Sequence, residues 1–535
     1  MVVPRLPDLT PMEPAATGRT WAAATPHRLA TDAAAIAFER GGNAIDAALA
    51  AATTLAVVYP HMCGVGGDLF ALVQHRAGDV VAVNASGRAP AGADPAAATL
   101  AGGGVMPEHG PHTVTVPGAV SGWKALHDQG ANLKWSDAFT HAVAYAHGGV
   151  SVASSLAEEL AEEQEHLAAD PGLSSIFFVD GSPMREFDLV RQPALGATLQ
   201  MIADDGPAAL YGGDVGSRYA AGLAELGVPI DVADLAGHTA ELGSPLRARY
   251  RDIDVLVHPP NSQGFVLLEA LLATERLGID PDPSGPDTGV LADVLRVAAR
   301  DRDHHLADPD RMRVHASTLL DEGHIAGLCD EVRDGLPPAP AGPKRSGDTI
   351  ALVTADIEGR AVSLIQSLYD GFGAGLLEPA TGIVAQNRGA CFTLDPASPN
   401  LLTAGARPAH TLMPVIIQRG GRFEAVAGTM GGSAQPQINA MTLIRAFDLG
   451  RSPAEAVAEP RWLVGGMSPE GEVPTAIAEA DVPSEAVAAL QGRGYQVDTV
   501  SERSGSVGHA HLIRRVSDGF EAGSDPRADG GARAS

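Results

Sequence analysis

The stretch Leu336-Pro337-Pro338-Ala339-Pro340-Ala341-Gly342-Pro343-Lys344-Arg345-Ser346-Gly347-Asp348-Thr349-Ile350-Ala351-Leu352-Val353-Thr354-Ala355-Asp356 changes character halfway along. Its first part has Pro and Gly at a density that neither a helix nor a central strand can carry, so it reads as an exposed linker over about 336–348. From Thr349 to Ala355 it reads as a strand, which pairs with Ala361 to Leu368 across the turn Asp356-Ile357-Glu358-Gly359. A threonine heading a strand is by itself ordinary β-propensity. Its place after a flexible linker gives it a second meaning. Cutting the Asp348–Thr349 bond would leave a threonine whose own α-amine titrates at about 7.7–8.0 and can take the hydroxyl proton. Nucleophile and base would then share one residue, held by a strand.

Further along, Leu412 to Gln418 and Phe423 to Ala427 form a second predicted strand pair around Arg419-Gly420-Gly421. The glycine loop Gly428-Thr429-Met430-Gly431-Gly432-Ser433 then leads into a helix at about Gln437 to Leu449. Before the linker, helical spacing runs from Leu29 to Arg40 and stops at Gly41-Gly42, and Asn43 with Asp46 makes an Asx version of a capping box. Phe70 to Arg76 and Val80 to Asn84 read as strands, as does Asp254 to Val257. Leu156 to Ala168 and Val266 to Leu277 read as helices, and residues 1–24 as a loose arm. Helices first and last with strand pairs between them predict a layered α/β fold, sheets sandwiched by helices.

The 535 residues carry 65 acidic against 37 basic side chains, a net charge of −28. Only Lys124, Lys134 and Lys344 are lysines, and no cluster of cations suits a phosphate backbone, which argues against nucleic acid. Cys63, Cys329 and Cys391 are odd in number and far apart, so neither a disulfide framework nor a CxxC metal site is indicated. The longest apolar run, Ala47 to Val58, is shorter than the roughly 18–20 residues that span a bilayer, and prolines interrupt the N-terminus where a signal peptide needs an apolar run. The expectation is a soluble, cytoplasmic protein with no membrane partner. Gly64-Val65-Gly66-Gly67 lacks the strand–turn–helix context and acidic partner of a dinucleotide site. Asp303-His304-His305 with Asp308 and Asp310 reads as a solvated helix end rather than a metal site, because adjacent histidines on a helix point apart. No cofactor and no metal is expected.

Several motifs in order resemble the γ-glutamyltransferase (glutathione hydrolase) family of N-terminal-nucleophile hydrolases over nearly the whole chain. They are Glu39-Arg40-Gly41-Gly42-Asn43-Ala44-Ile45-Asp46-Ala47-Ala48, Pro60, Gly64 to Gly67, Thr115-Val116-Pro117-Gly118, Gly206-Pro207 to Tyr211, and His258-Pro259-Pro260-Asn261-Ser262. Asp308-Pro309-Asp310, Asp348-Thr349 through Asp356, Gly371-Phe372-Gly373, Arg407-Pro408, Gly431-Gly432-Ser433 and Ser524-Asp525-Pro526-Arg527 continue the series. The resemblance implies an αββα sandwich made as a precursor. Thr349 would cut its own preceding bond to leave a large subunit, 1–348, and a small catalytic one, 349–535, which stay together. Gly431 and Gly432 match the oxyanion-hole glycines, where two backbone N–H groups must approach a tetrahedral oxyanion unobstructed. Ser367 stands where the family has a threonine that hydrogen-bonds the nucleophile.

The acyl pocket departs from the family pattern. The arginine that would meet a glutamyl α-carboxylate corresponds to Ser86, with Arg88 two residues on. The asparagine, glutamine and aspartate that hold the α-amino end correspond to Tyr369, Arg388 and Cys391, and a serine pair corresponds to His410 and Thr411. An ammonium would lose its carboxylate partner, whereas Arg388 suits a carboxylate. The pattern is similar to the branch that contains oxamate amidohydrolase and related acylases. The expected activity is amide cleavage through an acyl-enzyme on Thr349, with a carboxylate-bearing acyl donor. A true γ-glutamyl hydrolase or transferase is the runner-up, and a silent member acting as a binding protein the reading from another class. The expected partners are a small-molecule amide and the two subunits of one precursor, with a homo-oligomer compatible with either.

Overall fold

The computed structural model describes residues 12–336, 348–467 and 473–535. Most of the linker read at 336–348 lies outside the described residues.

Two antiparallel seven-stranded sheets lie face to face. One runs Gly531–Ala534, Trp21–Thr25, Asp348–Asp356, Ala361–Tyr369, Asp68–Gln74, Val80–Ala85, Glu241–Gly243. The other runs Ala15–Gly18, Gly519–Ser524, His509–Val516, Arg422–Met430, Val415–Arg419, Ile253–Val257, Leu246–Tyr250. The strands are buried on both faces, so they read as continuous apolar runs rather than alternating ones. Leu72, Val353, Ala355, Ala361, Ile416, Val426 and Ile513 fill the space between the sheets. Ile350, Leu352, Val362 and Leu364 face the other way, into a core with the helices Arg28–Glu39 and Ala44–Val58. On the far side, helices Gly264–Leu277, Thr288–His305 and Gln435–Phe447 cover the second sheet through Val255, Val415, Ala425 and Leu512. The four layers are helix, sheet, sheet, helix: an αββα sandwich.

Local signals placed most elements within one to three residues. Asn43 caps Ala44–Val58 by accepting from the Ile45 and Asp46 amides, and Asp46 returns a bond to the Asn43 amide. The predicted strand at Leu412 begins at Val415, and the run Leu156–Ala168 is two helices, Ser154–Glu162 and Gln164–Ala169, broken at Glu163. The arm is corrected more deeply. Ala15–Gly18 and Trp21–Thr25 are strands, one in each sheet, and Trp21–Thr25 lies between Asp348–Asp356 and the C-terminal strand. Small residues without strand propensity form them because neighbouring strands supply the ladder. No helix among the described residues is long and apolar enough to cross a membrane.

Candidate active site

Thr349 is the second residue of its strand, and its side-chain parity with Ala351, Val353 and Ala355 puts it on the face between the sheets. It is 1% exposed. Its Oγ1 donates to Ser367 Oγ at 3.0 Å, and Ser367 Oγ donates to the Asp348 carbonyl at 2.7 Å. The Tyr369 amide donates to Ser367 Oγ at 2.8 Å and sets its direction. One serine hydroxyl therefore touches both the hydroxyl that would attack and the carbonyl that would be attacked. Gly67 lets this strand pass closely, since a Cβ there would lie 2.3 Å from the Ser367 carbonyl. The loop Gly64–Gly67 is thus a brace beneath the Ser367 strand.

The strand Arg422–Met430 packs across from the Thr349 strand, with Gly428 facing Ala351 and Ile365. Its ladder ends at Met430, opposite His509. Gly431 and Gly432 follow at the end where Thr349 stands, and lead through a single helical turn into Gln435–Phe447. The opening N–H groups of a helix have no intrahelical partner, so this turn presents donors. Gly431 has φ +148 and Gly432 has φ +52, and a Cβ on Gly431 would meet Ile438 Cδ1 at 2.4 Å, so both positions require glycine. Gln263 Nε2 donates to the carbonyls of Gly432 and Thr411, and Arg302 Nη1 donates to Gln263 Oε1 and the Ser433 carbonyl.

Arg388 is fully buried. Its guanidinium lies 4.1 Å from the Tyr369 ring centre, and Nη1 donates to Thr411 Oγ1 at 3.1 Å and contacts Cys391 Sγ at 3.5 Å. Nε and Nη2 have no hydrogen-bond partner among the described residues. Tyr369 holds φ +90, an unusual conformation for a side-chain-bearing residue, next to the Thr349 strand in register with Asp348. His410 Nε2 donates to Asp68 Oδ2 at 3.1 Å while its Nδ1 accepts from the Leu412 amide, and burial holds its pKa well below the usual histidine value. Tyr369, Arg388, Cys391, Thr411 and His410 are thus gathered beside Thr349 and Ser367. Ser86 is joined to His410 through Asn261, whose backbone carbonyl accepts from the His410 amide, whereas Arg88 turns to a separate cluster of acids. Ser86 sits in a buried polar knot with Asn84 and Asn261, and Arg88 is bound to Asp308, Glu241 and the Gly405 carbonyl. Asp308 also accepts from the Arg407 amide and Asp303 pairs with Arg302, so the Asp303–Asp310 cluster is dispersed among ion pairs.

Sequence reasoning missed the acids around Asp348. Burial, then the neighbouring Asp370, pushes the Asp348 carboxyl up to about 7, against a bond from the Gly371 amide, with Glu162 and Glu163 adding to the rise. Burial and Asp348 push Glu159 up to about 8. Asp370 accepts from Asn387 Nδ2 at 2.8 Å. Asp348, Glu159, Glu162, Glu163, Tyr369 and Asp370 line one cavity of ≈ 1990 Å³. Only Gly371, which makes room for Glu159, hints at this crowding in the sequence.

An αββα sandwich with a buried threonine at the head of a central strand is the architecture of the N-terminal-nucleophile hydrolases. The sequence matches the gamma-glutamyltranspeptidase family over residues 30–535, and the chain belongs to that family. It is 36% identical over 517 residues to the oxamate amidohydrolase proenzyme of Klebsiella pneumoniae subsp. pneumoniae, covering 95% of this chain and 97% of that protein. It is 35% identical to the glutathione hydrolase-like YwrD proenzyme of Bacillus subtilis, covering 95% and 97%. The crystal structure of cephalosporin acylase from Bacillus halodurans superposes with a TM-score of 0.89 at 30% identity, covering 100% and 99%. The chain is an enzyme of this amidohydrolase and acylase group.

Proposed function

We propose that the chain is a precursor cut at Asp348–Thr349 into subunits 1–348 and 349–535, which then hydrolyses amides of a small acyl group that carries a second carboxylate. In the first step Thr349 Oγ1 bonds to the Asp348 carbonyl carbon while Ser367 donates to the carbonyl oxygen. The C–N bond breaks, the hydroxyl proton ends on the α-nitrogen, and water hydrolyses the ester to free Asp348 and the Thr349 amine. In turnover that amine takes the hydroxyl proton and passes it to the leaving amine, while the N–H groups of Gly431 and Gly432 receive the oxyanion. Thr349 and Arg388 are both buried in the intact chain, so substrate entry requires a rearrangement that follows the cut at Asp348.

The observation that carries the substrate reading is Arg388. A buried guanidinium whose Nε and Nη2 have no hydrogen-bond partner, and which makes no ion pair, among the described residues suits a bidentate anion. The oxamate amidohydrolase relative supports an acyl donor of this kind. Asp370 favours the second reading: it lines the cavity beside Asp348 and Tyr369 and could meet the α-ammonium of a γ-glutamyl donor, in line with the glutathione hydrolase-like relative. Comparing kcat/KM for glutaryl, oxalyl and γ-glutamyl amides of one leaving group separates the two. The expected order puts the acids without an amine at least about tenfold ahead, because an unpaired buried ammonium typically costs about 3–5 kcal/mol. Arg388→Ala should abolish that preference. A tenfold γ-glutamyl advantage would overturn it.

A further inference from the structure

Three helices on the outer side of the second sheet bring Glu269, Asp301 and His324 to one point. Glu269 lies in Gly264–Leu277, Asp301 in Thr288–His305 and His324 in Glu322–Asp334. His324 Nε2 is 2.7 Å from Asp301 Oδ2 and 3.4 Å from Glu269 Oε1, and one ligand atom from each residue lies within 4.8 Å of the others. The Glu269 side chain is 0% exposed, and neither of its oxygens accepts a hydrogen bond from the described residues. The contact with His324 is close but lacks hydrogen-bond alignment. A carboxylate removed from water without a partner is costly, and such groups are found neutralised, paired or bound to a metal. Here a fully buried one points at a second, nearly buried carboxylate and at an imidazole that is 28% exposed.

We propose that Glu269, Asp301 and His324 form a structural divalent-cation site, with zinc the preferred ion. Two carboxylates and one imidazole are a zinc-type donor set, whereas calcium takes six to eight oxygens. Donor atoms about 2.0–2.2 Å from a tetrahedral zinc stand roughly 3.4 Å apart, close to the Glu269–His324 separation, and His324 need only move off Asp301. On binding, Nε2 gives up the proton that now bridges to Asp301, to solvent from an imidazolium or by transfer to Nδ1 in a neutral ring, and the Nε2 lone pair takes the metal. Arg300 Nη2, 3.6 Å from Asp301 Oδ1, steadies the oxygen turned away from the site. The partly exposed His324 edge is the entry path, where water can complete the coordination, and His305 lies one helical turn beyond Asp301, outside the three-residue cluster. The ion would clamp the helices that carry Gln263 and Arg302 at their ends, the two side chains that brace the Gly432 and Ser433 carbonyls. It takes no part in the chemistry at Thr349, and the proposal stands whatever the substrate is.

The test uses the full chain, stripped with a chelator and titrated with zinc chloride at micromolar concentration. Calorimetry and elemental analysis should give one equivalent of zinc with a raised Tm, and cobalt substitution should give the absorption of a low-coordinate site. Glu269→Gln and His324→Ala should each weaken binding by at least about 100-fold, and the partly exposed His324 makes its variant the one expected to fold normally. His305→Ala should weaken binding less than either. Wild-type protein that binds no zinc under these conditions would overturn the proposal. So would zinc bound equally well by both variants, or a Glu269→Gln chain that is more stable than the zinc-treated parent.

Discussion

Asp525 is fully buried and Asp348 only half-buried, yet Asp525 is the easier of the two to ionise. Burial opposes charge on Asp525, but Arg461 and Arg527 outweigh it and hold the carboxyl at about 2. Its Oδ2 meets Arg461 Nη2 at 2.5 Å and the Ala510 amide at 2.8 Å, and Oδ1 meets Arg527 Nη1 at 3.0 Å. Glu479 closes the network by accepting from Arg527 and from the Arg461 amide. Around Asp348 burial is again the first cause, but Asp370, Glu162 and Glu163 add to it instead of opposing it, and the same residue type is driven up to about 7. Arg527 and Asp348 line the same cavity, so the two environments share one site. Opposite charges lock the part of the sandwich that must persist. Like charges crowd the bond proposed to break, and cutting it adds a new carboxylate at Asp348 to that crowd. Repulsion then favours departure of the cut end, which is what opening the acyl pocket requires.

The largest effect expected is from Thr349→Ala, which should leave one uncut chain with no turnover. Thr349→Ser should cut and react more slowly. Gel electrophoresis after long incubation decides this, and two fragments from the alanine variant would refute the nucleophile.

Asp525→Asn attacks the paired side of the comparison. Removing one partner of a buried ion network costs about 3–5 kcal/mol, so this variant should unfold well below the parent in a thermal melt. The Asp525 contribution is present above the unfolded pKa of 3.8 and is lost as pH falls toward 2. A Tm equal to the parent's would show that the network is not stabilising.

Ser367→Ala should slow processing by about 10²-fold, the usual worth of one donor to a developing oxyanion, and Ser367→Thr should restore most of it. A time course of fragment formation measures this, and cutting at the parental rate would remove Ser367 from the mechanism.

The smallest effect sharpens the crowded side. In the Thr349→Ala background, Asp348→Asn should raise Tm at pH 8 by roughly 2 °C and leave it unchanged near pH 4. The sign follows from the raised pKa: stability held by the protonated acid is complete below 3.8 and lost as pH rises through about 7. A gain that does not grow with pH would mean that like-charge crowding does not act on this bond.

Much of this architecture is written locally. A proline-rich stretch ending at an apolar run marks the head of the Thr349 strand, because proline cannot join a ladder and β-branched residues can. The capping box at Asn43 and Asp46 and the strand pair at Thr349–Leu368 depend on residues a few positions apart, and both stand as read. The glycines at Gly431 and Gly432 were legible because their positive φ leaves few alternatives. Tertiary structure alone decided the rest. Ser367 meets the Asp348 carbonyl through strand register, and Tyr369 covers the Arg388 face while its Nε and Nη2 find no hydrogen-bond partner among the described residues. The strands within 1–24 form because sheets already present offer them unpaired edges. Whether a carboxyl sits at about 2 or about 7 is set by charges that converge from distant segments, and a Coulomb sum over neighbours in space has no signature along the chain.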